Sequence, residues 1–136
     1  MRTIKQAAAT TGISEKLIRS TIRQIGDREK LADVCSWGAD AGFSGFTYYS
    51  NTISFFKRNR SEIIDLVKSL SADLDMGSPL DLVAGFRFFN GADKREIEPS
   101  VARVLYGGRI TDDDTLVCNA LAWFALEEVA RAMCDE

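Results

Sequence analysis

Apolar and polar positions recur at helical spacing along nearly the whole chain, the period that gathers apolar side chains on one face of a helix. Residues 3–11 and 14–25 read as two short helices around "TGIS", with Gly12 stopping the first and Ser14 capping the second. Residues 27–37 continue as a helix with Leu31, Val34 and Cys35 on one side. Ser50 or Asn51 caps a short helix carrying Ile53, Phe55 and Phe56. From Ser61 to about Leu74, Ile63, Val67, Leu70 and Leu74 fall at i, i+4, i+7 and i+11, an apolar stripe. "MGSPLD" breaks the pattern: Ser78 caps and Pro79 takes the first position of a helix predicted to run to about Phe89.

Residues 95–106 form the next predicted helix, established after Pro99, with Val101, Val104 and Leu105 apolar and "YGG" at its end. Thr111 and the carboxylates Asp112, Asp113 and Asp114 then open the last helix, where negative charge complements the helix dipole. Between Leu116 and Leu126 the only polar residue is Asn119. A helix apolar on nearly all sides is surrounded by protein. The stretch from Thr111 to about Met133 is therefore expected to be the central post, with Trp123 and Phe124 in the core. The fold class that follows is all-α, a single helical domain over residues 1–136.

One stretch departs from this periodicity. "GADAGFSGFTYYSNT", residues 38–52, holds Gly38, Gly42 and Gly45 among Phe43, Phe46, Tyr48 and Tyr49. Glycine permits turns and close backbone approach, so a tight, non-helical connection is expected here. Phe43 and Phe46 would plug it to the core. Adjacent residues point in different directions, so one of Tyr48 and Tyr49 would face outward as a recognition residue. The neighbouring "FFKRNR" adds Lys57, Arg58 and Arg60 beside Phe55 and Phe56, a composition suited to a protein interface. Tyr48, Tyr49, Lys57, Arg58 and Arg60 are the candidate partner-binding residues.

Composition narrows the function classes. A chain of 136 residues with 46% hydrophobic content is long enough for one core. No apolar run reaches the ~18–20 residues of a membrane span, and "MRTIKQAAATTG" has no apolar signal-peptide region. Cys35, Cys118 and Cys134 are odd in number and widely spaced, which predicts a reducing cytoplasm and no disulfide framework. Histidine is absent altogether, removing the commonest general base and metal ligand. No phosphate-binding glycine motif occurs. These features point away from an enzyme and from a cofactor. "DDD" at 112–114 is read as a dipole partner rather than a metal site.

Charge is uneven. Residues 1–30 carry seven Lys/Arg against three Asp/Glu, and residues 111–136 one Arg against seven acids, within a net charge of −3. Such asymmetry marks either a basic binding face or two ends that attract each other.

Two resemblances bear on function. "AAATTGISEKLIRSTIRQIG" resembles a helix-turn-helix unit of small regulators and excisionases, on Ala8, Gly12, Ile13, Ser14, Ile18 and Arg19. The resemblance implies a DNA-facing surface with Lys16, Arg19 and Arg23 nearest the duplex. Separately, "GADAGFSGFTYYSNTISFFKRNRSEI", "LDLVAGF", "ARVLYGG" and "NALAWFALEEVAR" are similar to a group of small proteins of phages and mobile elements. That likeness implies a genetic setting in which small proteins commonly inhibit host defence. The leading expectation is a non-enzymatic inhibitor that binds a host defence protein or nuclease complex, of antirestriction or anti-CRISPR type. The alternative is a small DNA-binding regulator.

Overall fold

The computed structural model describes residues 1–26, 28–37, 49–75 and 77–134. Local chemistry sets the helix boundaries. Thr3 accepts the Gln6 N–H at 3.1 Å while the Gln6 side chain accepts the Thr3 N–H at 2.9 Å, a reciprocal cap that opens α1, Ile4–Thr11. Gly12 ends it at φ 78°, a left-handed geometry that disfavours side chains. Ser14 then accepts the Leu17 N–H and opens α2, Glu15–Ile25. Next come α3, Arg28–Trp37, α4, Tyr49–Arg58, and α5, Arg60–Asp73. As the sequence predicts, Ser78 caps and Pro79 starts α6, Pro79–Ala84. The series closes with α7, Lys94–Leu105, and α8, Thr115–Cys134.

Among the described residues the secondary structure is helical throughout, so the all-α expectation holds. α8 is the central post. It packs against α1, α2, α3, α4, α5 and α7. Alanines at 120, 122, 125, 130 and 132 are buried along it, and such small side chains let neighbouring helices approach closely. The two chain ends meet here. The Arg2 N–H donates to the Met133 carbonyl at 2.8 Å, and its guanidinium to the Ala132 carbonyl at 2.9 Å. A cation there complements the negative end of α8.

Four sequence expectations change. The helix from Pro79 stops at Ala84 and Phe86 is extended; a separate 3-10 turn spans Arg87–Phe89. Gly85, a weak helix former, sits at the break. On α5 the buried stripe is Ile63, Ile64, Val67 and Ser71, while Leu74 lies past the helix end and is 57% exposed. Trp123 and Phe124 are only partly buried against the core. Cys35 and Cys134 are joined as a disulfide with Cα atoms 6.2 Å apart, a single bridge where the sequence predicts no disulfide framework. The pairing is tertiary, across 99 positions of sequence. Residues 38–48, with Gly38, Gly42, Gly45, Phe43, Phe46 and Tyr48, lie outside the described residues.

Candidate functional site

α2 has two unlike sides. Leu17, Ile18, Thr21 and Ile25 are buried, while Lys16, Arg19 and Arg23 are exposed. The exposed cations fall at i, i+3 and i+7, one face of the helix. The three-residue connection Gly12, Ile13, Ser14 holds that face outward, because Ile13 is itself buried and anchors the turn.

The end of α4 lies beside this face. Arg58 donates from Nη2 to Gln24 Oε1 at 3.1 Å. Lys16 Nζ donates to the Arg58 carbonyl at 3.2 Å and to Glu62 Oε1 at 3.0 Å. Asn59, fully buried, donates to Ser20 Oγ at 2.8 Å and to the Phe55 carbonyl at 3.0 Å. Together these bonds weld α2 to the α4–α5 junction. Lys57 and Arg58 are both exposed, and Arg58, of the second set of candidate residues, joins the α2 cations on one polar, mostly basic surface. Among the described residues its paired acids are Glu15, 3.5 Å from Arg19, and Glu62. The side chains of Lys16 and Arg19 remain 62% and 50% exposed. Surface pairs of this kind contribute only ~0–1 kcal/mol, so a stronger anion can take these cations at small cost.

Arg60 has another task. Its Nε and Nη2 reach the Val104 carbonyl at 3.2 and 2.9 Å, and Nη2 also reaches the carbonyls of Arg103 and Gly108 at 3.0 and 2.9 Å. The guanidinium thus closes the carboxyl end of α7, whose last carbonyls lack intrahelical donors. Arg60→Ala is expected to cost roughly 1–3 kcal/mol in urea unfolding. Arg60→Lys should recover only part of it, since a single ammonium cannot match the planar fork. Wild-type stability in Arg60→Ala would refute this capping role. Tyr49 is the first residue of α4; Tyr48 lies outside the described residues, so neither is assigned a surface role.

Elsewhere the chemistry is muted. Burial, then the charge of Asp114, pushes the Cys118 thiol up to about 11, so it stays protonated at neutral pH and is a poor nucleophile. Among the described residues no three His, Cys, Asp or Glu side chains gather as a metal site. Glu128 pairs with Arg131 at 2.7 Å. A groove of about 490 Å³ lies between Phe86–Phe88 and α8, lined by Ala120, Trp123, Phe124 and Glu127 with Arg87 at its side. Phe86 stacks on Phe124 there, ring centres 5.1 Å apart.

The sequence signal for the α2 face was the helix-turn-helix resemblance. Gln24, Asn59 and Glu62, which organise the face, carried no such signal; they matter only because the fold brings α4 and α5 onto α2, where Ser20 accepts from Asn59.

The class defined by these features is a helical domain around a central apolar helix, with a basic face on its second helix. The chain belongs to the family described as a domain of unknown function, DUF7222, which it matches over residues 11–136. That match begins at the last residue of α1 and takes in α2 to α8. No curated protein and no solved structure shows a significant match.

Proposed function

We propose that this chain acts by binding a macromolecule rather than by catalysis, and that duplex DNA laid across the α2 face is the occupant best supported. One observation carries the reading. Lys16, Arg19 and Arg23 stand exposed along α2 while exposed Arg58 stands beside them, tied in by the Arg58–Gln24 and Lys16–Arg58 hydrogen bonds. Over seven residues α2 rises about 10 Å, so three phosphate-binding groups are offered in a row by one rigid element. The helix-turn-helix reading of residues 3–25 gives this face its role: α2 is the element presented to the duplex, and α1 supports it.

The test is duplex binding by fluorescence anisotropy as salt is varied. Arg19→Glu with Arg23→Glu should weaken binding at least tenfold and flatten the salt dependence by roughly two phosphate contacts, each a log–log slope of about 0.9. Circular dichroism should not change, since both side chains are exposed. Absence of wild-type binding at low salt would end this reading.

A second reading follows from the likeness to phage and mobile-element proteins: an inhibitor that binds a host defence complex, of antirestriction or anti-CRISPR type, in the host cytoplasm. The net charge of −3 favours it, because domains that track phosphate usually carry a basic excess. Lys57 and Arg58 would then meet an acidic protein surface. This reading expects the chain to co-purify with that complex and to ignore free duplex. No helix among the described residues is long and apolar enough to cross a membrane, which is compatible with either reading.

A further inference from the structure

The Cys35–Cys134 cross-link joins α3 to the last residue of α8, and its surroundings suit two redox states. Cys35 is exposed and Cys134 only partly buried, so a small thiol can reach the bond. The Ala130 carbonyl lies 3.5 Å from Cys35 Sγ. A disulfide sulfur carries no proton, so this contact becomes a hydrogen bond only when Cys35 is a thiol, added to the carbonyl's place in the α8 ladder. The third cysteine, Cys118, is buried and cannot readily take part in exchange. α3 is ten residues long, too short to be stable as an isolated helix, so its place depends on Leu31 and Val34 in the buried core, on packing against α8 and α2, and on the cross-link.

We propose that Cys35 and Cys134 form a thiol-exchange site that a dithiol reductant opens in the folded protein, loosening α3 from the end of α8. A reductant thiolate attacks Cys35 Sγ. The protein's S–S bond breaks as a mixed disulfide forms, and Cys134 leaves as a thiolate that takes up a proton. The second reductant thiol gives up its proton and attacks the reductant sulfur of the mixed disulfide. Cys35 leaves, is protonated, and the reductant ends as a cyclic disulfide. Two electrons pass from the dithiol to the protein pair.

The test titrates air-oxidised full-length protein with dithiothreitol under native conditions, traps thiols with a maleimide and reads the intact mass and labelled peptides. Two labels should appear, on Cys35 and Cys134, while circular dichroism holds and Cys118 stays unlabelled. In the reduced protein, amides of α3 should exchange hydrogen at least tenfold faster, with the middle of α8 unchanged. Cys134→Ser should show the fast α3 exchange with or without dithiothreitol. The proposal fails if the oxidised protein already labels at Cys35 and Cys134. It fails equally if the bond resists dithiothreitol until denaturant is added, or if α3 exchange is the same in both states; these readings need only the wild-type chain.

Discussion

Phe55→Ala is expected to lower stability by about 3–5 kcal/mol, the cost of emptying a fully enclosed aromatic site. Phe56→Ala should cost about the same. Both side chains are completely buried although they are neighbours in sequence. Successive helical residues point roughly 100° apart, so α4 must be covered on two sides, and it packs on both α8 and α5. Enclosure on two sides leaves little room for collapse around the cavity. Trp123→Ala and Phe124→Ala should cost less, roughly 1–2 kcal/mol, because their side chains are partly open to solvent already. This order reverses the expectation drawn from the apolar run of the last helix. Urea midpoints at constant m-value decide it. Larger losses at Trp123 and Phe124 than at Phe55 and Phe56 would mean that the core is centred elsewhere.

That reversal shows what the sequence could and could not carry. Boundaries written in local chemistry were legible: Gly12 and Ser14 between α1 and α2, and Ser78 with Pro79 at the start of α6, act through atoms a few residues away. The central position of α8 was legible too, because a run with one polar residue has apolar groups on nearly every side to cover, although Leu116 at its start is exposed. Which part of that run lies deepest was not, since it depends on where the other helices cross it. Ser71 is buried on α5 while Leu74 is exposed, because the helix ends at Asp73 and the stripe ends with it.

The candidate face divides in the same way. The helix-turn-helix resemblance implied an outward side of α2 carrying Lys16, Arg19 and Arg23. Their union with Arg58 rests on contacts such as Lys16 to the Arg58 carbonyl, 42 positions apart. Arg60 looked like one more surface cation, and only the carbonyls of Arg103, Val104 and Gly108 reveal its structural use. The Cys35–Cys134 pair was hidden for the same reason. An odd cysteine count argues against a framework of many bridges, but it does not forbid a single one.

Asp114→Ala is expected to cost about 2–4 kcal/mol near neutral pH, the range for orphaning partners of a buried carboxylate when one of them can rehydrate. Asp114 is fully buried at the entry to α8. Its Oδ1 accepts from Ser100 Oγ at 2.7 Å and from Arg103 Nη2 at 2.8 Å; its Oδ2 accepts the Thr111 N–H at 3.0 Å. The carboxylate therefore clasps α7 to the start of α8. Arg103 is 44% exposed and can return to water, whereas Ser100 is buried and loses its partner. Burial raises the Asp114 carboxyl, but the bonds from Arg103, Thr111 and Ser100 together outweigh it and hold it down, from 3.8 to about 2. A carboxyl lowered on folding contributes stability above its unfolded value and loses it as pH falls through the folded one. The wild-type advantage over Asp114→Ala should thus be constant above about pH 5, shrink between about pH 4 and pH 2, and be smallest below that. Asp114→Asn, uncharged but similar in shape, should fall between the two at neutral pH and lack the acid-dependent part. Urea midpoints of the three proteins across that range measure it. A stability gap between wild type and Asp114→Ala that stays the same from pH 5 to pH 2 would show that the carboxylate's charge does not hold α7 to α8.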